Sequence, residues 1–148
     1  EIYFAPELEF ERFDELSPSA VESIMDKDLT PCEEILEQCR RKGIHILTYQ
    51  DAAYPARLKN IPDPPMVLYY RGVLPDFDNE IPIGIVGTRQ ATAYGLNTAR
   101  QLGGEIAACG ALVVSGMAAG IDAMATQGAL QQGRPAVCAS TRDTGTPS

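Results

Sequence analysis

The chain has 148 residues, a hydrophobic content of 45% and a formal net charge of −8. That length suits one ordinary domain, or a small domain with part of another, and the apolar content supports a packed core rather than disorder. The charge argues against the broad basic footprint that nucleic-acid binders usually show, so any nucleic-acid site here has to be a local pocket.

No run of about 18 consecutive apolar residues occurs, so no membrane span is expected. The opening Glu1-Ile2-Tyr3-Phe4 has neither a basic region nor a long apolar stretch, so no signal peptide is expected. A start at Glu1 rather than methionine suits a fragment or a processed chain. The cysteines Cys32, Cys39, Cys109 and Cys138 form no CxxC pair, and His45 is the single histidine. They read as reduced thiols that pack like small apolar groups, not as metal ligands.

The first part of the chain reads as helical and acidic. Leu8, Phe10, Phe13 and Leu16 suit one face of a short helix. Ser17-Pro18 opens a second, with proline at the first helical position. Thr30-Pro31-Cys32-Glu33 opens a third, in which Thr30 and Glu33 are expected to form a capping box. Arg40, Arg41 and Lys42 complement the negative end of that helix, and Gly43 stops it. A small helical region over 1–43 is expected, with no visible chemistry. Residues 44–82 read as a lead-in segment, with short strands at Ile44–Tyr49 and Met66–Tyr70 on either side of the proline-rich Ile61-Pro62-Asp63-Pro64-Pro65.

From Ile83 the pattern changes. Ile83-Gly84-Ile85-Val86 reads as a buried parallel strand. Leu96, Ala99, Leu102 and Ile106 recur at helical spacing, and Gly110 ends that helix. Ala111–Val114 reads as a second strand, Ile121 to Gly128 as a second helix, and Pro135–Ala139 as a third strand. This alternation predicts right-handed βαβ units around a parallel sheet. The expected fold class is therefore α/β: a Rossmann-like parallel sheet, cut short, preceded by a small N-terminal helical region. Residues 83–148 form its first part.

Ligands of open parallel sheets sit beyond the carboxyl ends of the strands. Gly87 to Gly95, Ser115 to Asp122, and the chain from Ser140 onward are the loops there. Glycine lets backbone N–H groups approach a ligand, and a helix N-terminus favours phosphate. Thr88 and Ser115 carry hydroxyl donors, and Arg89 suits bidentate phosphate contact. Together these residues predict an anion pocket. The alternatives are tight-turn geometry alone for Gly87 and Gly116, a solvated surface arginine for Arg89, and a helix-start carboxylate for Asp122. No GxGxxG occurs, which weakens a dinucleotide-cofactor reading. No catalytic set emerges either: Ser115 has no histidine in its motif, and Asp122 and Asp143 are carboxylates that sequence alone does not bring together.

At these residues the chain resembles the DNA processing protein A (DprA/Smf) family of bacteria. The matching stretches are Ile85-Val86-Gly87-Thr88-Arg89, Tyr94-Gly95, the run Val113-Val114-Ser115-Gly116-Met117-Ala118-Ala119-Gly120-Ile121-Asp122, and Gly128-Ala129-Leu130. Upstream, Tyr54-Pro55, Leu58, Pro64-Pro65 and Leu68-Tyr69-Tyr70-Arg71-Gly72 look like the family's lead-in. The resemblance spans residues 40 to 139. It implies a cytoplasmic, non-enzymatic protein without cofactor. Such a protein binds single-stranded DNA, loads the RecA recombinase onto it during natural transformation, and forms a homodimer at full length.

By the same resemblance, Gly87, Thr88 and Arg89 are the phosphate-binding loop, and Ser115, Gly116, Gly120 and Asp122 build the neighbouring loop of the same pocket. The N-terminal helices resemble the small SAM-like domain of some members. This chain departs from the pattern at Ala119, where the family usually has Lys or Arg, and at Thr126, where it usually has His. Thr141-Arg142 and Gly145-Thr146 also replace the expected residues around Asp143 and Pro147. The competing functional readings are a nucleotide-processing enzyme of related fold, such as a nucleoside-monophosphate phosphoribohydrolase, and a purely structural fragment with an exposed strand edge.

Overall fold

The computed structural model of the chain describes residues 17–140. The helix face expected from Leu8, Phe10, Phe13 and Leu16 lies outside them, as do Asp143 and Pro147 in the final segment. The chain divides into two compact units. One reaches to Ile46 and includes Tyr69–Gly72; the other comprises Leu47–Leu68 and the chain from Val73 onward.

The first unit holds two helices. Helix α1, Pro18–Met25, starts with Pro18 at its first position, and the Ser17 side chain accepts the Ala20 N–H. Helix α2, Thr30–Lys42, carries Arg40, Arg41 and Lys42 in its last turn and ends at Gly43 in the left-handed conformation, φ 62°. The expected capping box is absent. Leu29 already has helical dihedrals and no side-chain cap bond forms. Instead Asp28 Oδ1 accepts the Thr30 N–H at 2.9 Å. Thr30 thus sits one step inside the helix, where its hydroxyl no longer faces the first free N–H groups. In this unit His45 and Tyr70 stack with ring centroids 4.9 Å apart.

Strands β1 (His45–Thr48) and β2 (Val67–Tyr70) pair in a two-stranded sheet. Between them lies a short helix, α3, Ala56–Lys59. The second unit's lead-in is tied by polar contacts at its turns. Asp51 Oδ2 accepts the Thr48 N–H at 2.6 Å and its hydroxyl at 2.8 Å. Tyr54 is buried and its hydroxyl donates to the Pro65 carbonyl at 2.7 Å. The Asp78 carboxylate accepts the Ala56 N–H with both oxygens.

The rest of the second unit is the expected α/β layer. Strands β3 (Pro82–Gly84), β4 (Leu112–Ser115) and β5 (Ala136–Cys138) form a parallel sheet in that order. The register aligns Ile83 with Val113, and Val114 with Val137. Strand β3 is shorter than its apolar run suggests and, contrary to that reading, not buried, because it lies at the edge of the three described strands, with Ile83 36% and Val86 77% exposed, although the Ile85 N–H still donates to the Val114 carbonyl at 2.9 Å. The crossovers are helices α4, Ala93–Ala108, and α5, Ile121–Gln131. Val113, fully buried, clusters with Ala107 of α4 and Ala129 of α5, so both helices cover the same face of the sheet. Right-handed crossovers between strands laid side by side in sequence order demand this.

The helices pack closely because their facing residues are small: Ala99, Gly103, Gly104 and Ala107 against Ala125, Gly128 and Ala129. A Cβ on Gly103 or Gly128 would run into backbone of the opposite helix. This contact draws the N-terminus of α5 against the loop that follows β3.

Candidate nucleic-acid interface

Two loops emerge at the carboxyl ends of adjacent parallel strands. The first follows β3 and leads to α4; the second follows β4 and leads to α5. Thr92 starts α4 by accepting the Gly95 N–H on its hydroxyl at 3.2 Å. Gly120 precedes α5 with φ 88° and ψ −128°, a combination open in practice to glycine alone. It also lies against the first loop, where a Cβ would sit 2.8 Å from the Arg89 carbonyl oxygen. The Ile121 N–H completes that contact by donating to the Thr88 carbonyl at 3.2 Å.

Asp122 joins the loops from inside. Its side chain is 4% exposed. Oδ1 accepts the Gly87 N–H at 3.0 Å, and Oδ2 accepts the Gly116 N–H at 3.1 Å. Burying a carboxylate is tolerable only when its oxygens are satisfied, and here each oxygen is satisfied by a different loop. Ser115, 3% exposed, donates its hydroxyl to the Ile85 carbonyl at 2.7 Å and so ties the ends of β3 and β4 together. The side chain of Ile121 lies over Gly87, where an added Cβ would come within 2.7 Å of it.

The seven residues singled out from sequence therefore meet in one place but do different things. Gly87, Thr88, Gly116 and Gly120 shape the backbone of the crevice. Ser115 and Asp122 point inward and spend their polar groups on the protein, which corrects the expectation that the Ser115 hydroxyl is free to reach a ligand. The Thr88 hydroxyl is occupied locally, accepting the Gln90 N–H at 3.2 Å. Arg89 is exposed, and among the described residues its guanidinium has no ion pair or hydrogen bond. Met117 and Ala119, in the second loop, likewise make no hydrogen bond. Met117 holds a left-handed backbone at φ 59°, which is uncommon for a side chain of its size and concentrates at functional sites. Thr126, in α5, buries a hydroxyl that has no partner among the described residues.

The charge around these loops differs from that of the whole chain. All acidic residues except Glu105, Asp122 and Asp143 precede Ile81, so the 8 Lys and Arg before it are outnumbered by 17 acidic residues, whereas 4 arginines against 3 carboxylates follow it. Glu105 sits near the far end of α4 and is bonded by Gln101. Asp122 is buried between two N–H groups. These loops therefore bring together the N-terminal ends of two helices and one exposed arginine, with no exposed carboxylate in either loop. The net charge of −8 concealed this distribution, although it is legible in the order of the residues. Among the described residues no group of His, Cys, Asp and Glu is placed to hold a metal ion, and no helix is long and apolar enough to cross a membrane.

The three-stranded parallel sheet, with crossover helices and glycine-rich loops at its carboxyl edge, defines a Rossmann-like α/β protein. Within that class, the chain belongs to the DNA recombination-mediator protein A family, whose model matches residues 45–147. It is 35% identical over 120 residues to the DNA processing protein DprA of Bacillus subtilis, covering 81% of this chain and 40% of that protein. It is 42% identical over 101 residues to the protein Smf of Synechocystis, covering 66% of this chain and 25% of that one.

Two solved structures resemble it. The X-ray structure of DNA processing protein A from Streptococcus pneumoniae matches with a TM-score of 0.59 and 27% identity, covering 89% of this chain and 50% of that one. The Helicobacter pylori DNA processing protein A, whose structure concerns its single-stranded DNA binding mode, matches with a TM-score of 0.51 and 33% identity, covering 60% and 40%. The chain thus spans half or less of the length of each of these relatives.

Proposed function

We propose that this chain supplies the single-stranded DNA-binding crevice of a recombination mediator, acting without turnover to bring a recombinase of the RecA type onto DNA taken up by the cell. The observation that carries the reading is Asp122, whose buried carboxylate holds the Gly87 and Gly116 loops side by side. The exposed Arg89 and the starts of α4 and α5 are the groups these loops offer to a phosphate. Gly87, Thr88, Arg89, Gly116 and Gly120 contact or shape the phosphate site, while Ser115 and Asp122 hold it together. Family membership and the single-stranded DNA mode of the Helicobacter pylori relative support nucleic acid over a free nucleotide. Cytoplasmic location and homodimerisation of the full-length protein belong to the same proposal.

Fluorescence-anisotropy titration with labelled oligo-dT across a salt series tests it. Arg89→Ala is expected to weaken binding and to lower the slope of log K against log salt by about one phosphate contact. Binding unchanged by Arg89→Ala, or equal affinity for duplex, would overturn the reading. The recombinase step is checked separately, by whether the chain speeds RecA assembly on the same oligonucleotide.

A further inference from the structure

The crevice described above accounts for phosphate and leaves its apolar rim unexplained. Tyr94 lies in the first turn of α4, five residues beyond Arg89 in sequence, and is 81% exposed. No other aromatic side chain among the described residues is as open to water. Of the lead-in tyrosines, Tyr54 is buried, Tyr49 packs against it at 5.4 Å between centroids, Tyr70 stacks on His45, and Tyr69 is half-exposed at 49%. The Tyr94 ring has no such neighbour, and its hydroxyl makes no hydrogen bond among the described residues. Leaving a tyrosine ring in water forfeits the burial that usually stabilises one.

Its place relative to the phosphate loop follows from Gly95 and Ile121. A Cβ on Gly95 would lie 3.6 Å from Ile121 Cδ1, and the same isoleucine side chain covers Gly87. The first turn of α4, the first loop and the start of α5 therefore converge on Ile121. Two further apolar side chains are exposed in these loops: Val86, 77% exposed where β3 runs out, and Met117, 71% exposed on its left-handed backbone. Val86, Tyr94 and Met117 thus leave apolar surface open on the two loops and the helix start they lead to, and a site for a simple phosphate has no use for it. A strand of nucleic acid with unpaired bases does, since each base offers an apolar face beside its phosphate. In a duplex those faces are stacked on one another and closed to the protein.

We propose that Tyr94 is a base-stacking residue, taking the face of an unpaired base next to the phosphate held at Arg89, with Met117 and Val86 as its apolar surroundings. This rests on the single-stranded DNA reading and deepens it. Phosphate contact alone binds any polyanion, and Tyr94 makes the site select a strand whose bases are free.

The test sets two ligands against two proteins. Oligo-dT and an abasic oligomer of the same length carry the same phosphates, and only the first carries bases. The native chain is expected to bind oligo-dT about tenfold more tightly than the abasic oligomer, the scale of one base–aromatic stack. Tyr94→Ala is expected to bring the two affinities together by weakening oligo-dT alone, and Tyr94→Phe to keep the preference. Equal weakening of both ligands by Tyr94→Ala, or a native chain that does not distinguish them, would overturn the stacking role. A native chain that binds neither ligand would remove the single-stranded DNA reading, and the stacking role with it. Dependence on Arg89 with no dependence on Tyr94 would leave the parent reading standing and sink this one.

Discussion

The Gly87 N–H donates to Oδ1 of Asp122 at 3.0 Å across a separation of 35 residues. The span encloses all of α4 and β4, so the bond forms only once α4 has packed and β4 has paired beside β3. The other oxygen of Asp122 takes the Gly116 N–H, which makes this carboxylate the internal strut of the crevice.

Replacing Asp122 tests the strut. Asparagine keeps the shape but turns one acceptor into an NH2 group that faces an N–H donor. Asp122→Asn is expected to destabilise the protein by about 1–3 kcal/mol, and Asp122→Ala, which leaves both N–H groups unanswered, by more. Urea unfolding measures both. Because the loops lose their register, the folded fraction of either variant is also expected to bind oligo-dT more weakly. A stability within about 0.5 kcal/mol of the native chain for Asp122→Asn would show that the carboxylate is not holding the loops.

Gly110 and Gly120 share a positive φ, 90° and 88°, and the ψ of −128° at Gly120 adds backbone strain of its own. Gly110 has open space where a Cβ would go, whereas Gly120 faces the Thr88 and Arg89 backbone. Gly110→Ala is expected to cost about 1–2 kcal/mol from backbone strain alone. Gly120→Ala adds a steric conflict that pushes the two loops apart, so its loss is larger and is accompanied by weaker DNA binding. Equal losses for the two variants, read by thermal and urea unfolding, would mean that the contact between the loops has no energetic weight.

A third expectation concerns acid. The Thr48 backbone N–H, followed by the Thr48 hydroxyl, holds the Asp51 carboxyl below its ordinary value of 3.8. A carboxylate depressed in the folded state stabilises that state above its unfolded value, and the contribution is lost as pH falls through the folded value. The Asp51 carboxyl resonance is therefore expected to titrate with a midpoint below 3.8. Asp51→Asn is expected to flatten the acid limb of the stability curve while leaving the neutral region nearly parallel to that of the native chain. A midpoint at or above 3.8 would contradict the Thr48 contacts.

Local chemistry was enough to place most elements. Pro18 after Ser17, Gly43 after three basic residues, and the three- and four-residue spacing of Leu96, Ala99 and Ile106 each set a helix through interactions within a turn or two of the chain. The capping box at Thr30 shows how far such reasoning reaches. The residue types were right, but Asp28 and Leu29 shift the helix start so that Asp28 takes the bond instead.

By itself the sequence determined a βαβ order, because strand and helix periods are local properties, and it determined where the glycine-rich loops fall. It also carried the crowding of acidic residues into the part before Ile81, which the total charge hides. The direction in which each polar side chain of the loops faces was decided only by the tertiary structure. Ser115 and Asp122 turn inward because parallel pairing of β3 with β4 brings the Ile85 carbonyl and the Gly87 and Gly116 N–H groups within their reach. Arg89 and Tyr94 stay outside, and among the described residues no side chain is placed to pair with them. Spacing along a chain shows which residues can share a face, but hydrogen bonds across 35 residues exist only after the crossover has folded.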